Sequence, residues 1–330
     1  MTADQATTLA DLSNLLTYSA MLVLTFAMIT FFVSFAQRRT VVLPADAQQR
    51  TPALVGAGTR TPAQVASDEA RAASAPMEPG RRAGNIAMAL SWVAFALLVG
   101  AVVTRGLWAG RVPWGNMYEF SLVSATAVLG VFLGISVRRD VRWLGVFLIP
   151  LVLLTLGLAV TVLYTEAAQL VPALQSYWLI IHVSAAVVCG GAFTFAGVTA
   201  LLYLMVDSTA RGTKPGRFFA PLSGRLPDAE RLDHITNRTI TFTFPLWTFA
   251  IVSGAIWAEA AWGRYWGWDP KETWAFISWV VYAAYLHARS TAGWRGRKAA
   301  WLAVLGVVVF WFNYFGVNLL FSGLHSYSGL

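Results

Sequence analysis

The sequence predicts an all-α integral membrane protein, a bundle of about eight transmembrane helices with both termini external. Of its 330 residues, 57% are hydrophobic and 12% are charged, whereas soluble domains carry about 25% charged residues. A transmembrane helix needs about 20 mostly apolar residues, and eight segments satisfy this condition: 17–36, 85–104, 118–137, 143–163, 177–206, 239–258, 272–289 and 299–321. No segment shows the alternating pattern of a barrel strand, so the lipid bilayer is expected to surround a helical bundle.

The basic residues predict the orientation of the bundle. Of the 24 lysines and arginines, 20 lie in four alternate connections: 37–84, 138–142, 207–238 and 289–298. The other four, Arg105, Arg111, Arg264 and Lys271, lie in or beside the intervening connections. Because basic residues concentrate in cytoplasmic loops, the four basic connections are predicted to be cytoplasmic. The net charge of +8 is therefore a topology signal, and we do not expect nucleic-acid binding.

The chain divides into three predicted parts. Residues 1–39 form an N-terminal transmembrane helix, which is expected to be retained because its start, MTADQATTLADLSN, lacks the basic region of a signal peptide. Residues 40–84 are rich in Ala, Pro, Thr, Gln and Arg, a composition typical of a disordered cytoplasmic linker. Residues 85–330 form a polytopic core. The single cysteine, Cys189, excludes an internal disulfide and is predicted to be a buried thiol.

The segment 262–279, WGRYWGWDPKETWAFISW, concentrates aromatic and charged side chains on the predicted outer face. Within it, Asp269, Pro270 and Glu272 form a helix start, with Asp as N-cap, Pro at the first helical position and Glu at the third. We therefore predict that a helix begins at about Pro270 and runs into the membrane. The segment contains Trp262, Trp266, Trp268, Trp274 and Trp279.

The spacing of this segment suggests a ligand platform. Trp262 and Trp266 are four residues apart, and Gly263 and Gly267 share that spacing. If the stretch is helical, one face presents indole rings and a neighbouring face presents bare backbone, which suits a large flat apolar ligand. The alternative is a belt of aromatic side chains at the level of the lipid headgroups. The density of tryptophans, with glycines between them and charges beside them, favours the platform.

The outer basic residues indicate an anionic ligand. Arg264 and Lys271 lie within the aromatic segment, and the positive end of the helix that begins near Pro270 points there too. A flat ligand that carries carboxylates would satisfy all three features. Haem, which has two propionates, is the obvious candidate.

The four histidines differ in their predicted depth. His182 lies about one turn into the segment 177–206 and His325 just beyond the last apolar segment, so both are external and could supply the two axial ligands of one haem iron. A membrane histidine can also serve as a hydrogen-bonding contact between helices. His287 lies about 20 Å deeper than Trp274, where an ionisable residue is a functional candidate, and no other histidine reaches that depth. His234 falls in a cytoplasmic connection and is expected to be solvated.

Three stretches carry a resemblance to a known family. GRYWGWDPKETWAFISWVVYAAYLHAR resembles the tryptophan-rich WWD signature of the haem-handling proteins of cytochrome c maturation, in the variant typical of CcsA/ResC-type proteins of System II, some of which are named CcsB. VPWGNMYEFS at 112–121 is similar to the family's Asn-x-Tyr-Glu helix start, and FNYFGVNLLFSGLHSY is similar to its C-terminal signature. The resemblance covers residues 112–330.

The resemblance implies transport of haem b to the external face of a bacterial cell membrane and its covalent attachment to the Cys-x-x-Cys-His segment of apocytochrome c. It implies that His182 and His325 ligate the external haem, and that His287 holds haem in the membrane with a second histidine from a ResB-type partner. A thiol-disulfide reductase would contribute indirectly. Further residues expected at the haem site are Trp262, Arg264, Trp266, Trp268, Asp269, Lys271, Trp274 and Glu119.

Three other functions are compatible with parts of the sequence. A CcmC-like protein would deliver haem without attaching it. A membrane dihaem cytochrome would use the histidines only for electron transfer, although such bundles usually pair histidines at matched depths. A secondary transporter for an apolar anion is disfavoured because the sequence shows no repeat and no paired broken helices.

The topology yields the first testable prediction. A reporter fused after Leu330 should behave as external, and a reporter inserted within 40–84 should behave as cytoplasmic, because basic residues set the orientation. Paired alkaline phosphatase and fluorescent-protein fusions measure both positions. A cytoplasmic C-terminus would overturn the external placement of His325.

Overall fold

The computed structural model describes residues 3–38, 80–167 and 172–325, and every regular element in this part of the chain is helical. The prediction of an all-α fold is therefore confirmed. The helices are α1 (Ala3–Gln37), α2 (Arg81–Ala109), α3 (Met117–Arg138), α4 (Gly145–Thr161), α5 (Tyr177–Ala210), α6 (Lys214–Ser223), α7 (Ala229–Trp262), α8 (Pro270–Ser290), α9 (Arg297–Trp311) and α10 (Val317–Leu320). A π-helical turn, Phe312–Gly316, joins α9 to α10. Short 3₁₀ turns cover Arg142–Leu144 and Pro172–Leu174.

Each of the eight predicted segments coincides with a helix. Among the described residues, seven helical stretches are long and apolar enough to cross a membrane, and α8, with 21 residues, is the predicted span outside that set. The chain is therefore a multi-pass membrane protein. Most of the predicted linker lies outside the described residues, but its last four residues, 81–84, belong to α2. The short helix α6 was not predicted.

Helix α5 is central to the bundle and packs along α7, α3 and α9. Its middle is buried on several sides; Cys189, Phe193 and Phe195 are each 0% exposed, which confirms the predicted burial of the thiol. Gly191 allows α5 to approach α3 closely, because a Cβ built at this position would lie 2.9 Å from the backbone oxygen of Ala127 in α3. The backbones of α3 and α5 are therefore in direct contact.

The ends of several helices meet at one end of the bundle. The connections 110–116 and 263–269 lie there together with residues 172–176 and the segment 321–325. This is the end that the basic residues predict to be external.

The aromatic segment is not helical throughout, so the interpretation of Trp262 and Trp266 as one helical face is wrong. Helix α7 ends at Trp262 because Gly263 adopts a left-handed C-cap with φ 69°. Residues 264–269 are irregular, and Trp268 has φ 57°. The two tryptophans therefore reach their positions from a helix end and from a loop.

The contact between α3 and α5 yields a stability prediction. Gly191→Ala should lower the free energy of unfolding by about 1–3 kcal/mol, because a backbone cannot move aside as a side chain can. The matched control is Gly134→Ala in α3, where a Cβ would meet nothing within 4 Å and alanine favours the helix. Thermal unfolding in detergent compares the two variants. Equal midpoints would contradict the close backbone contact.

Candidate functional site

A cavity of about 190 Å³ lies at the predicted external end, between α3, α5, α7, α8 and the end of α9. Its wall includes both external histidines, His182 and His325, together with Trp257, Trp266 and Lys271. The structure thus brings together side chains that are up to 143 positions apart in the chain. Four of these five residues were predicted from the sequence; Trp257 was not.

His182 is held by the neighbouring helix α7. Its Nδ1 lies 2.7 Å from the carbonyl oxygen of Ala250, so Nδ1 carries the proton and donates, and Nε2 has the lone pair that a metal requires. The ring lies against Gly254, where a built Cβ would be 2.7 Å from Cε1 and Nδ1. Because Gly254 has no Cβ, the imidazole of His182 can lie directly against the backbone of α7.

His325 is held by Asp269. Its Nδ1 lies 2.8 Å from Oδ2 of Asp269, and the backbone N–H of Leu324 donates to Oδ1 of the same carboxylate at 2.8 Å. Burial disfavours the charged carboxylate, but these hydrogen bonds outweigh it and hold the pKa of Asp269 below its usual value. An ionised Asp269 accepts a hydrogen bond from the Nδ1–H of His325, so Nε2 is the nitrogen that is able to bind a metal.

Asp269 is also the N-cap of α8, as predicted. It accepts a hydrogen bond from the backbone N–H of Lys271 at 3.2 Å, and Glu272 completes a capping box with it. The sequence therefore identified the cap, but the second role of the carboxylate, orienting His325, depends on the return of the chain to this point 56 residues later.

Trp257 connects the two histidines. Its ring stacks on His182 with centroids 6.0 Å apart and planes at 15°, and meets His325 edge to face at 5.3 Å. Trp262 also contacts His325, at 4.8 Å. Trp257 therefore contributes to the aromatic wall beside the two histidines, although it lies five residues before the segment 262–279.

A turn that depends on Glu272 presents Trp266 to the cavity. Oε2 of Glu272 accepts the backbone N–H groups of Gly267 at 2.8 Å and of Asp269 at 3.1 Å, and Oε1 accepts Nη1 of Arg264 at 3.0 Å. The guanidinium covers Gly267, where a Cβ would lie 2.0 Å from Cζ. Arg264, which was predicted to attract ligand carboxylates, is thus paired with Glu272.

A second turn repeats this arrangement at the start of α3. Glu119 accepts the backbone N–H of Gly115 at 2.8 Å and Nη1 of Arg111 at 2.7 Å, and Asn116 is the N-cap. In both turns the arginine lies eight residues before the glutamate, and a Trp-Gly pair lies between them. Trp114 of the second turn lines the same cavity as Trp266.

Lys271 lines the cavity but binds the π-helical turn. Its Nζ donates to the carbonyl oxygens of Asn313 at 2.7 Å and Tyr314 at 3.3 Å. A π turn interrupts the α-helical bonding pattern, and such turns are frequent at functional sites. Lys271 therefore fixes the widened end of α9, and two of the three donors of its ammonium group are used there.

Three buried polar atoms of cavity-lining residues have no hydrogen-bond partner among the described residues. They are Nε1 of Trp114, Nε1 of Trp247 and Oδ1 of Asn313. Buried polar groups are almost always hydrogen-bonded, so these atoms favour a ligand with polar groups at its edge. Together with two imidazoles that present Nε2 and a flat aromatic wall, they fit a haem.

Seven predicted site residues do not line the cavity: Arg264, Asp269 and Trp262, whose contacts are given above, and Glu119, Trp268, Trp274 and His287. Glu119 is 0% exposed and also pairs with Arg105, so it acts on the turn that holds Trp114. Trp268 is 64% exposed, and Trp274 packs against Phe312 at 4.4 Å. His287 lies on the exposed face of α8, away from this cavity.

The chain is similar to known proteins of cytochrome c biogenesis. The family described as "Cytochrome C assembly protein" matches residues 114–325, a range that includes both histidines. The chain is 38% identical to the "Cytochrome c biogenesis protein CcsA" of Guillardia theta over 255 residues, 73% of this chain and 84% of the relative. It is also 38% identical to the protein of that name from Microcystis aeruginosa, over 77% of this chain and 89% of the relative.

A solved structure shares the fold. "Cytochrome c Heme Lyase CcmF" superposes with a TM-score of 0.61, covering 96% of this chain and 47% of that one, at 16% sequence identity. At this identity the likeness concerns the arrangement of the helices.

The contact between Gly254 and His182 yields a prediction. Gly254→Ala should displace the imidazole, break its bond to Ala250 and lower haem affinity about ten- to a hundredfold, as loss of an orienting partner does at metal sites. Absorption spectra should show less six-coordinate low-spin haem. Gly157→Ala, where a Cβ meets nothing within 4 Å, is the control and should match the wild type. An unchanged haem spectrum in Gly254→Ala would refute the role assigned to this glycine.

Proposed function

Because the chain belongs to the cytochrome c assembly protein family, we propose that it holds haem between His182 and His325 at the external face of the cell membrane and attaches it to apocytochrome c. Haem is the substrate in this proposal, and the Cys-x-x-Cys-His segment of the apocytochrome is the second substrate.

One observation carries the proposal. The two external histidines line a single cavity, and in each the Nδ1 is held by an oxygen, Ala250 O for His182 and Asp269 Oδ2 for His325. An acceptor on Nδ1 fixes the tautomer in which Nε2 binds metal. Two such rings at one aromatic-walled space support axial ligation of one iron.

The reaction requires positioning more than side-chain catalysis. Each cysteine S–H adds across one haem vinyl group, so that a carbon–sulfur bond forms, the proton goes to the neighbouring carbon and no electrons are gained or lost. Holding the vinyl groups beside the two thiols converts a bimolecular addition into an effectively intramolecular one. The protein's part is then to fix the iron through His182 and His325, and the ring through Trp257 and Trp266.

A second haem position is proposed at His287. This histidine lies on an exposed face of α8, in line with Phe276 and Val280, which are 42% and 43% exposed. A lipid-facing or partner-facing histidine has no ligand mate on its own helix, which supports a second histidine from a ResB-type membrane partner. Haem would pass from this position outward to the cavity.

Co-expression with a ResB-type partner and an apocytochrome c tests the proposal. Covalent haem, detected by haem staining after denaturing electrophoresis, is the expected result. Haem that is bound by the complex but never attached would favour a haem-delivery protein instead. A complex that contains no haem at all would refute the proposal.

Added imidazole should restore haem attachment in variants of the two histidines and not in a variant of Trp266. His182→Gly and His325→Gly should leave the protein folded and inserted, abolish covalent attachment and make the haem easier to oxidise, because axial ligands help set its potential. Added imidazole should restore part of the attachment. Trp266→Ala should lose haem without rescue, because imidazole replaces a ligand and not a ring surface. Equal rescue of the tryptophan and histidine variants would contradict this division of roles.

The inner position is tested by His287→Ala. Purified alone, the wild-type chain should retain little haem there, and in the complex the variant should have a lower haem content and no covalent product, because the supply from the membrane is interrupted. Haem content per complex is measured by the pyridine haemochrome assay. Full loading and activity of the variant would remove His287 from the mechanism.

A further inference from the structure

The two external histidines are supported very differently. His182 belongs to the long helix α5, and three features of α7 fix its ring: the carbonyl of Ala250 at 2.7 Å, the bare backbone of Gly254 and the stacked ring of Trp257. Moving this imidazole away from the cavity would require a change in the packing of α5 against α7. The packed core of a helical bundle opposes such a change.

His325 lies outside any helix. Helix α10 ends at Leu320, and residues 321–324, which lead to the histidine, are all exposed. Asp269 makes two of the bonds that hold this segment, to the backbone of Leu324 and to the ring of His325. A short, exposed segment held by bonds to a neighbouring side chain opens at a lower free energy than a packed helix does.

Asp269 stays in place when the segment opens. Its carboxylate is the N-cap of α8 and bonds to the backbone N–H of Lys271, so its position depends on α8 and not on residues 321–325. After departure of His325, the same carboxylate faces the vacated coordination position. It can then accept a hydrogen bond from the Nδ1–H of another imidazole.

From these observations we infer that His325 is the ligand that leaves the iron when the histidine of the apocytochrome segment arrives, and that His182 stays. The inference rests on the proposed function. In this exchange the bond from iron to Nε2 of His325 breaks and a bond to Nε2 of the incoming histidine forms. Both imidazoles stay neutral and keep their Nδ1 protons, so the step needs no oxidant, reductant or proton donor. Asp269 stays in place and accepts a hydrogen bond first from one imidazole and then from the other.

Single-histidine variants distinguish the two ligands. His182→Gly and His325→Gly are loaded with haem in the co-expressed complex in the presence of imidazole, which is then removed so that the iron becomes five-coordinate and high-spin. Each is titrated with a thiol-free peptide, Ala-x-x-Ala-His, which cannot form thioethers, and with Ala-x-x-Ala-Ala as the control peptide. Free imidazole, which is small enough for either position, should convert both variants to the low-spin form.

The histidine peptide should convert only His325→Gly to the low-spin form. In His182→Gly the vacated position lies between α5 and α7, where the peptide cannot enter. Conversion of His182→Gly alone, of both variants or of neither would overturn the inference. The proposed function fails separately: it fails if the wild-type complex contains no haem or shows no bis-histidine spectrum before any peptide is added.

A second variant leaves both histidines intact and decides the question if His182→Gly retains no haem. Leu324→Pro removes the N–H that bonds to Asp269, so the segment opens more easily while His325 still ligates the iron at rest. The histidine peptide should bind about fivefold more tightly than to the wild type, the equivalent of one lost hydrogen bond of about 1 kcal/mol. A wild-type-like haem spectrum before the titration verifies the fold. Unchanged or weaker peptide binding would overturn the inference.

Discussion

Two buried carboxylates, Glu119 and Glu272, determine the shape of the end of the bundle that contains the cavity. Each lies in the first turn of a helix, accepts the backbone N–H of a glycine in the turn before that helix and pairs with an arginine eight residues earlier. Removing charge from water is costly unless every oxygen is bonded, so each carboxylate forces its turn to close around it. The closed turns then hold Trp114 and Trp266 against one cavity. The aromatic wall is thus a consequence of where the buried charges are neutralised.

The same dependence extends from these turns to the two histidines of the cavity. Asp269, the cap of α8, lies three residues before Glu272, and its carboxylate fixes both the backbone and the ring of the returning C-terminal segment. Glu272 therefore helps to fix the position of Asp269, and Asp269 in turn fixes the position of His325. His182 depends on a different support, the packing of α5 on α7, in which Gly254 and the Ala250 carbonyl accept the ring. His325 is positioned by a carboxylate at a helix start, and His182 is positioned by close packing.

The sequence predicted the parts of this arrangement that obey local rules. Hydrophobic length identified the eight long helices, and the order Asp269, Pro270, Glu272 identified the start of α8, since capping acts within four residues. The shared helical face of Trp262 and Trp266 was wrong because Gly263 ends α7 with a left-handed residue. The contribution of Trp257 and the hold of Asp269 on His325 were not predictable, because both depend on contacts between chain segments that only tertiary packing brings together.

The outer basic residues show why charge alone is an incomplete guide to a ligand. Arg264 is paired with Glu272, and Arg105 and Arg111 share Glu119. Of these cations and Lys271, only Lys271 lines the cavity, and it uses two ammonium donors on the carbonyls of Asn313 and Tyr314. A third N–H is left for an anionic group. A propionate bound there would contact the π turn and the start of α8, the helix whose cap, Asp269, supports His325.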